Sequence, residues 1–174
     1  IVVSDNSSDN SVDIARQYQC KVIELPQNKG PGFARNNGAQ VAKGDILLFI
    51  DSDVIINEEA LNSLSDKFSD NEVSVIQGIY SHKPTYKNAV TQYQQSFYSY
   101  YSWDTNIKYT SSLITNCFAI RKKIFIDLKG FNTNIRGATC EDEEFGYLLI
   151  EKGYKILILR QLNGEHRVNY NLRG

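Results

Sequence analysis

Cysteine is scarce in this chain and methionine is absent. Three cysteines, Cys20, Cys117 and Cys140, stand far apart in 174 residues. An odd number at such spacing excludes a closed disulfide framework and a zinc knuckle, and reduced thiols in a cytoplasmic setting are expected. An excess of charge of either sign is missing too. Against 20 Asp and Glu stand 19 Lys and Arg, a net charge of −1, which removes nucleic acid and anionic membrane as expected main partners. No apolar run in the given residues approaches the ~18 of a membrane span, and no signal peptide is expected. With no methionine, and residue 1 already inside the apolar run Ile1-Val2-Val3, the chain is expected to be a piece of a longer one, lacking a first strand and helix. Repeats and low-complexity linkers are absent as well. What remains has the size of one domain and, at 41% hydrophobic and 22% charged residues, a globular composition.

Strand and helix signals alternate through the first half. The run 1–3 reads as a strand, followed by the turn-forming Ser4 to Asn10 and a helix carrying Val12, Ala15 and Tyr18. A strand over 21–25 is stopped by Pro26, and a glycine-containing loop, 27–32, leads into a helix with Ala34, Gly38 and Val41 on one face. Ile46 to Ile50 is apolar on both faces, as a strand covered on both sides should be. Asn57 caps a helix with Leu61, Leu64 and Phe68 as its stripe, and 73–80 reads as a strand. This order predicts an α/β fold with a mostly parallel, doubly wound sheet flanked by helices. Further on, 88–103 reads as a polar-aromatic helix with Tyr93, Phe97, Tyr100 and Tyr101 on its core face. The spans 113–120 and 154–159 read as strands, 130–132 as a turn, and 141–152 as a helix ending at Gly153. The closing stretch 164–174, with His166, Arg167 and Arg173, reads as polar tail.

Two clusters of carboxylates carry the chemistry. Asp51 and Asp53 arrive one residue apart where a buried strand leaves the sheet, the edge at which open α/β folds place ligands. Two anions there need compensation, and a divalent cation bridging to phosphates supplies it; a polar turn would use the same residue types. Four acids, Glu141 to Glu144, open the last long helix. Dipole complementarity accounts for one or two of them. With Phe145, Leu148 and Leu149 as the buried stripe, helical geometry turns Glu141 and Asp142 inward, leaves Glu144 at the flank and sends Glu143 to solvent. An inward carboxylate at a helix start suits a general base. Asp5, at the end of the first strand, falls level with Asp51 and Asp53 if the strands run parallel, and also suits an Asx turn. Arg35, one turn into the helix after the glycine loop, suits a phosphate, although that loop matches neither the P-loop nor the dinucleotide fingerprint. His82 is a loop residue with no assigned role.

Five segments in this order resemble the GT-A-fold, family 2 glycosyltransferases: residues 2–9 (Val-Val-Ser-Asp-Asn-Ser-Ser-Asp), 28–38 (Asn-Lys-Gly-Pro-Gly-Phe-Ala-Arg-Asn-Asn-Gly), 44–53 (Gly-Asp-Ile-Leu-Leu-Phe-Ile-Asp-Ser-Asp), 130–132 (Gly-Phe-Asn) and 141–146 (Glu-Asp-Glu-Glu-Phe-Gly), with 153–156 (Gly-Tyr-Lys-Ile) following. The resemblance implies one GT-A catalytic domain over 1–174, without its first strand. Its nucleotide-sugar-binding half is 1–80, and its acceptor-side half with the catalytic base is 81–174. It implies that Asp5 hydrogen-bonds the base of a nucleotide and that Arg35 contacts the nucleotide. Asp51 and Asp53 form the Asp-x-Asp motif, with Asp53 the more direct ligand of Mn²⁺ or Mg²⁺. Glu141 lines the substrate site, Asp142 is the catalytic base, and His166 completes the metal or diphosphate contacts. The implied reaction moves a sugar, with inversion, from a nucleoside-diphosphate sugar, UDP-linked by expectation, to a saccharide or lipid-linked acceptor at the cytoplasmic face of a membrane. Two positions depart from the family pattern: Ser4 where a first acid is usual, and Leu148 where an arginine is usual. Two other readings stand beside this one. A sugar-phosphate nucleotidyltransferase would want a glycine-rich basic loop after its first strand, and a non-catalytic nucleotide-binding remnant would gain nothing from inward acids.

Overall fold

The computed structural model describes residues 1–81, 86–103, 107–134 and 140–171, apart from the side chains of 98–103. His82, Arg173 and the side chains of Tyr100 and Tyr101 lie outside the described residues. The elements follow as β1 (Val2–Ser4), α1 (Ser11–Gln17), β2 (Val22–Glu24), α2 (Pro31–Val41), β3 (Ile46–Ile50), β4 (Val54–Ile56), α3 (Glu58–Phe68), β5 (Val75–Tyr80), α4 (Ala89–Trp103), β6 (Tyr109–Thr110), β7 (Cys117–Arg121), α5 (Lys122–Asp127), α6 (Glu141–Glu151) and β8 (Ile156–His166).

Six strands form a central sheet in the order β3-β7-β5-β8-β4, with β6 also on β8. Side-chain alternation sends its residues to two cores. Leu47, Phe118 and Ile120 meet Ala39 of α2, Phe125 of α5 and Phe145 and Leu149 of α6 on one face. Cys117, Ala119 and Leu157 meet Ala60, Leu64 and Phe68 of α3 on the other. Phe49 and Phe118 stack at 4.8 Å in the first core. This is the expected α/β layering, but the strand polarity is mixed rather than mostly parallel. The pairs β1–β2 and β5–β8 are parallel, whereas β3–β7, β5–β7, β4–β8 and β6–β8 are antiparallel. The physical reason is connection length. A short β-α-β link forces parallel strands, but the long connection between β5 and β7 lets β7 enter reversed between β3 and β5.

Three further differences bear on the site. β4 and α5 have no counterpart in the periodicity, being too short to repeat it. The final strand runs on to His166, because Leu162 and His166 turn inward along an otherwise polar stretch. On α4, Tyr93 and Phe97 are exposed, and Thr91 and Gln95 are buried in their place. Gln95 Nε2 donates to the His166 carbonyl at 2.9 Å, so polar contacts fix this helix to the end of β8.

β1 and β2 form a parallel pair of their own, apart from the larger sheet. Between β1 and β3 runs a groove of about 510 Å³, lined by Val2, Val3, Ala34, Leu48, Phe49 and Ile50 among others. α2 packs against β1, with Gly38 facing Val3. Among the described residues, no helix is long and apolar enough to cross a membrane. Cys20, Cys117 and Cys140 are free thiols.

Candidate functional site

Two loops and two helix starts converge at one edge of the sheet. Asp51, Ser52 and Asp53 form the turn between β3 and β4, closed by Val54 N–H donating to the Asp51 carbonyl at 3.1 Å. β3 ends against β7, where Asp51 N–H donates to the Asn116 carbonyl at 3.0 Å. β4 pairs with the end of β8, Val54 opposite His166. That pairing brings His166 Nε2 to 3.2 Å from Asp53 Oδ2.

Arg35, on the first turns of α2, links two acids from distant segments. Its guanidinium donates to Asp51 Oδ1 at 2.6 Å and to Glu141 Oε1 at 3.0 Å. Glu141 opens α6, and its side chain is only 8% exposed. The close approach requires a small residue on α2. A Cβ at Gly32 would lie 3.3 Å from Glu141 Cγ and 3.2 Å from Phe131 Cβ. The turn carrying Phe131 is clamped to the same helix: Asn36 Nδ2 donates to the Phe131 carbonyl and Asn36 Oδ1 accepts from Phe131 N–H, at 2.8 and 2.9 Å. Two of the sequence segments thus meet through an asparagine the sequence analysis did not single out.

The acids on α6 sort as helical geometry requires. Glu141 is buried, Asp142 half-buried, and Glu143 and Glu144 exposed. Asp142 Oδ2 faces Thr115 Oγ1 at 3.4 Å, and its Oδ1 accepts from Glu143 N–H at 2.9 Å. Burial pushes the Asp51 carboxyl above its ordinary 3.8; the Arg35 guanidinium opposes this, while the charges of Asp53 and Asp142 add to it. The carboxylates of Asp53 and Asp142 therefore both lie within electrostatic reach of Asp51. Burial, with the Asp51 charge added, also pushes the neighbouring Cys117 thiol up to about 12, which leaves it inert as a nucleophile at neutral pH.

Asp5 is engaged by the glycine loop. Its Oδ1 accepts from Lys29 N–H at 2.8 Å and its Oδ2 from Gly30 N–H at 2.7 Å. Gly30 has a φ of +89°, a conformation that suits glycine and turns both amides toward the carboxylate. Asp5 thus fixes the glycine loop that starts α2, whose first turns carry Arg35.

For a divalent cation, the pair Asp53 and His166 fits. Two ligands at right angles around an ion at ~2.1 Å lie ~3 Å apart, close to the 3.2 Å between Oδ2 and Nε2. Asp51 is less free, one oxygen being held by Arg35. Among the described residues, no group of three or more His, Cys, Asp or Glu could hold a metal ion. A cation here would take its remaining ligands from phosphate and water, the usual arrangement for Mg²⁺-type ions.

Thr115 and Asn116, which border Asp142 and Asp51, were read as strand interior. The available signal was two adjacent polar residues interrupting an apolar stretch.

The model of the family described as Glycosyl transferase family 2 matches residues 1–129. A poly(ribitol-phosphate) beta-glucosyltransferase of Bacillus spizizenii is 42% identical over 89 residues, 45% of this chain and 14% of that protein. An uncharacterized glycosyltransferase of Haemophilus influenzae is 31% identical, over 47% of this chain and 34% of its own length. Among solved structures, the mannosyltransferase PcManGT of Pyrobaculum calidifontis, in complex with GDP-Man and Mn²⁺, superposes with a TM-score of 0.72 at 16% identity, over 98% of this chain and 48% of its own. Staphylococcus aureus TarS 1–349 with UDP-GlcNAc gives 0.71 at 23% identity, over 98% and 49%. The present fold is the GT-A fold of these structures, and the chain spans a half or less of each of these proteins.

Proposed function

The chain belongs to glycosyl transferase family 2, and from that premise we propose that it forms the catalytic core of an inverting transferase acting on a nucleoside-diphosphate sugar, UDP-linked by preference. The observation that carries this reading is the convergence of Asp51, Asp53, Asp142 and Glu141 with Arg35 and His166 at one sheet edge. Under this reading residues 1–80 bind the donor and 81–174 supply the base and the acceptor side. The neighbours holding UDP-GlcNAc and GDP-Man support a donor of this class.

Each residue then has a task its surroundings allow. Asp5 holds the glycine loop and keeps lone pairs for a base N–H. Arg35 serves the nucleotide's phosphates, for which its fork geometry is suited. Asp53 and His166 would hold the cation, Mn²⁺ in preference to Mg²⁺ because imidazole is the softer ligand, and Asp51 adds its second oxygen to the ion or its waters. When bound, that ion would neutralise charge gathering on the departing diphosphate. Asp142 takes the proton of the acceptor hydroxyl. The hydroxyl oxygen bonds to the anomeric carbon as the bond to the diphosphate breaks, and the leaving group carries away the electron pair. One displacement assisted by one base inverts the anomeric centre. The acceptor is a saccharide or lipid-linked saccharide, presented at a cytoplasmic membrane face.

Calorimetry with UDP, with and without Mn²⁺, tests the proposal. UDP should bind with Mn²⁺ and about tenfold more weakly without it. Asp53→Ala should remove the metal dependence. Equal affinity in both conditions would overturn the metal-dependent reading.

A further inference from the structure

Asn116 lies immediately before β7, 2% exposed, and among the described residues neither its Nδ2 nor its Oδ1 has a hydrogen-bond partner. A primary amide brings two donors and an acceptor with two lone pairs into the interior. Leaving them unmade is less favourable than an apolar side chain of the same shape. Such a group invites an occupant that completes it.

Position narrows the occupant. The β3–β7 register, Ile46 opposite Arg121 through Ile50 opposite Cys117, is extended one pair by the bond from Asp51 N–H to the Asn116 carbonyl. Asn116 is therefore bonded through its backbone to Asp51, in the turn that leads into β7. Arg35 of α2 and Glu141 of α6 form the bridge that reaches the same Asp51. The preceding residue, Thr115, faces Asp142. The residue carrying the amide thus lies between the Asp51 end of the site and the end that holds the proposed base. Phosphate oxygens only accept, and a cation would satisfy Oδ1 alone. A sugar hydroxyl or acylamino group both donates and accepts.

We infer that Asn116 is a specificity-determining residue whose amide reads a hydroxyl or acylamino group of the transferred sugar. This deepens the nucleotide-sugar reading and rests on it. Contact with the buried amide requires the Arg35 bridge to Asp51 to give way to the diphosphate.

The test compares the full chain with Asn116→Leu, which keeps the volume and removes the amide, and with Asn116→Ser, which keeps one hydroxyl. The probes are UDP, UDP-glucose and UDP-GlcNAc, titrated calorimetrically with Mn²⁺, with thermal melting alongside. Asn116→Leu should bind UDP within about twofold of the parent and lose about tenfold or more in affinity for a UDP-sugar, with Asn116→Ser between them. Its melting temperature should hold or rise, because a buried unmet amide has been removed. Equal losses for UDP and UDP-sugar, or a lower melting temperature in both variants, would mark the amide as structural and overturn the inference. A parent chain that binds UDP-sugars no better than UDP overturns it while leaving the nucleotide site standing. A parent that binds no nucleotide with Mn²⁺ overturns the nucleotide-sugar reading, and this inference with it.

Discussion

Replacing Arg35 with methionine removes the one cation that joins Asp51 to Glu141. Each contact, at 2.6 and 3.0 Å, represents ~5 kcal/mol of gross attraction at an effective dielectric of about 20. Desolvation of the three charged groups cancels most of that, yet removing one partner of a buried network leaves the others uncompensated, at ~3–5 kcal/mol. Asp51 is 34% exposed at its side chain, so water relieves part of its charge, and ~3 kcal/mol is the reasoned loss. In a domain of this size that is a fall of ~6–12 °C in melting temperature. The loss should also depend on pH. Asp51 is already pushed above 3.8 by burial, against the opposing charge of Arg35, and the substitution pushes it further. A carboxyl raised in the folded state binds protons more readily there than in the unfolded chain, so the contribution of Asp51 to stability is greatest below 3.8 and falls as pH climbs through the raised value. Urea unfolding at about pH 7.5 and about pH 5 should therefore show a smaller deficit at the lower pH. Adding Glu141→Gln should recover part of the loss. A deficit under ~1 kcal/mol at both pH values would refute the bridge as a structural element.

Asp142→Asn should abolish sugar transfer, measured with a radiolabelled donor, while donor affinity by calorimetry stays within about twofold; lost binding with retained turnover would reassign the residue. Asp5→Ala removes acceptors for the Lys29 and Gly30 amides and should lower stability by ~1–3 kcal/mol. Amide hydrogen exchange should accelerate in the glycine loop, and unchanged protection there would show that the loop holds itself.

Periodicity found the long elements because they repeat their pattern enough times to be seen. α3 and α6 show it: Leu64 and Phe68, and Phe145 and Leu149, are buried at the expected helical spacing, although Leu61 is exposed and Ala60 is buried in its place. The inward turn of Glu141 was legible for the same reason, since the buried stripe of its own helix fixes it. What lay beyond the sequence was long-range pairing. Nothing local says that a polar stretch ending in His166 continues a strand, or that this strand ends opposite Val54 beside Asp53. The union of Arg35 with Asp51 and Glu141 spans 106 residues of chain and depends on how α2 and α6 cover one sheet face. Tyr93 and Phe97 misled through their bulk: aromatic residues at helical spacing suggest a core, but α4 is anchored by Gln95 and Thr91 instead.

The separation of β1 from β3 leaves two strand edges beside one groove. Among the described residues, each of these strands is laddered on one side only, so two rows of backbone donors and acceptors flank the same apolar trough. Unpaired strand edges of this kind are where a sheet accepts a further extended segment.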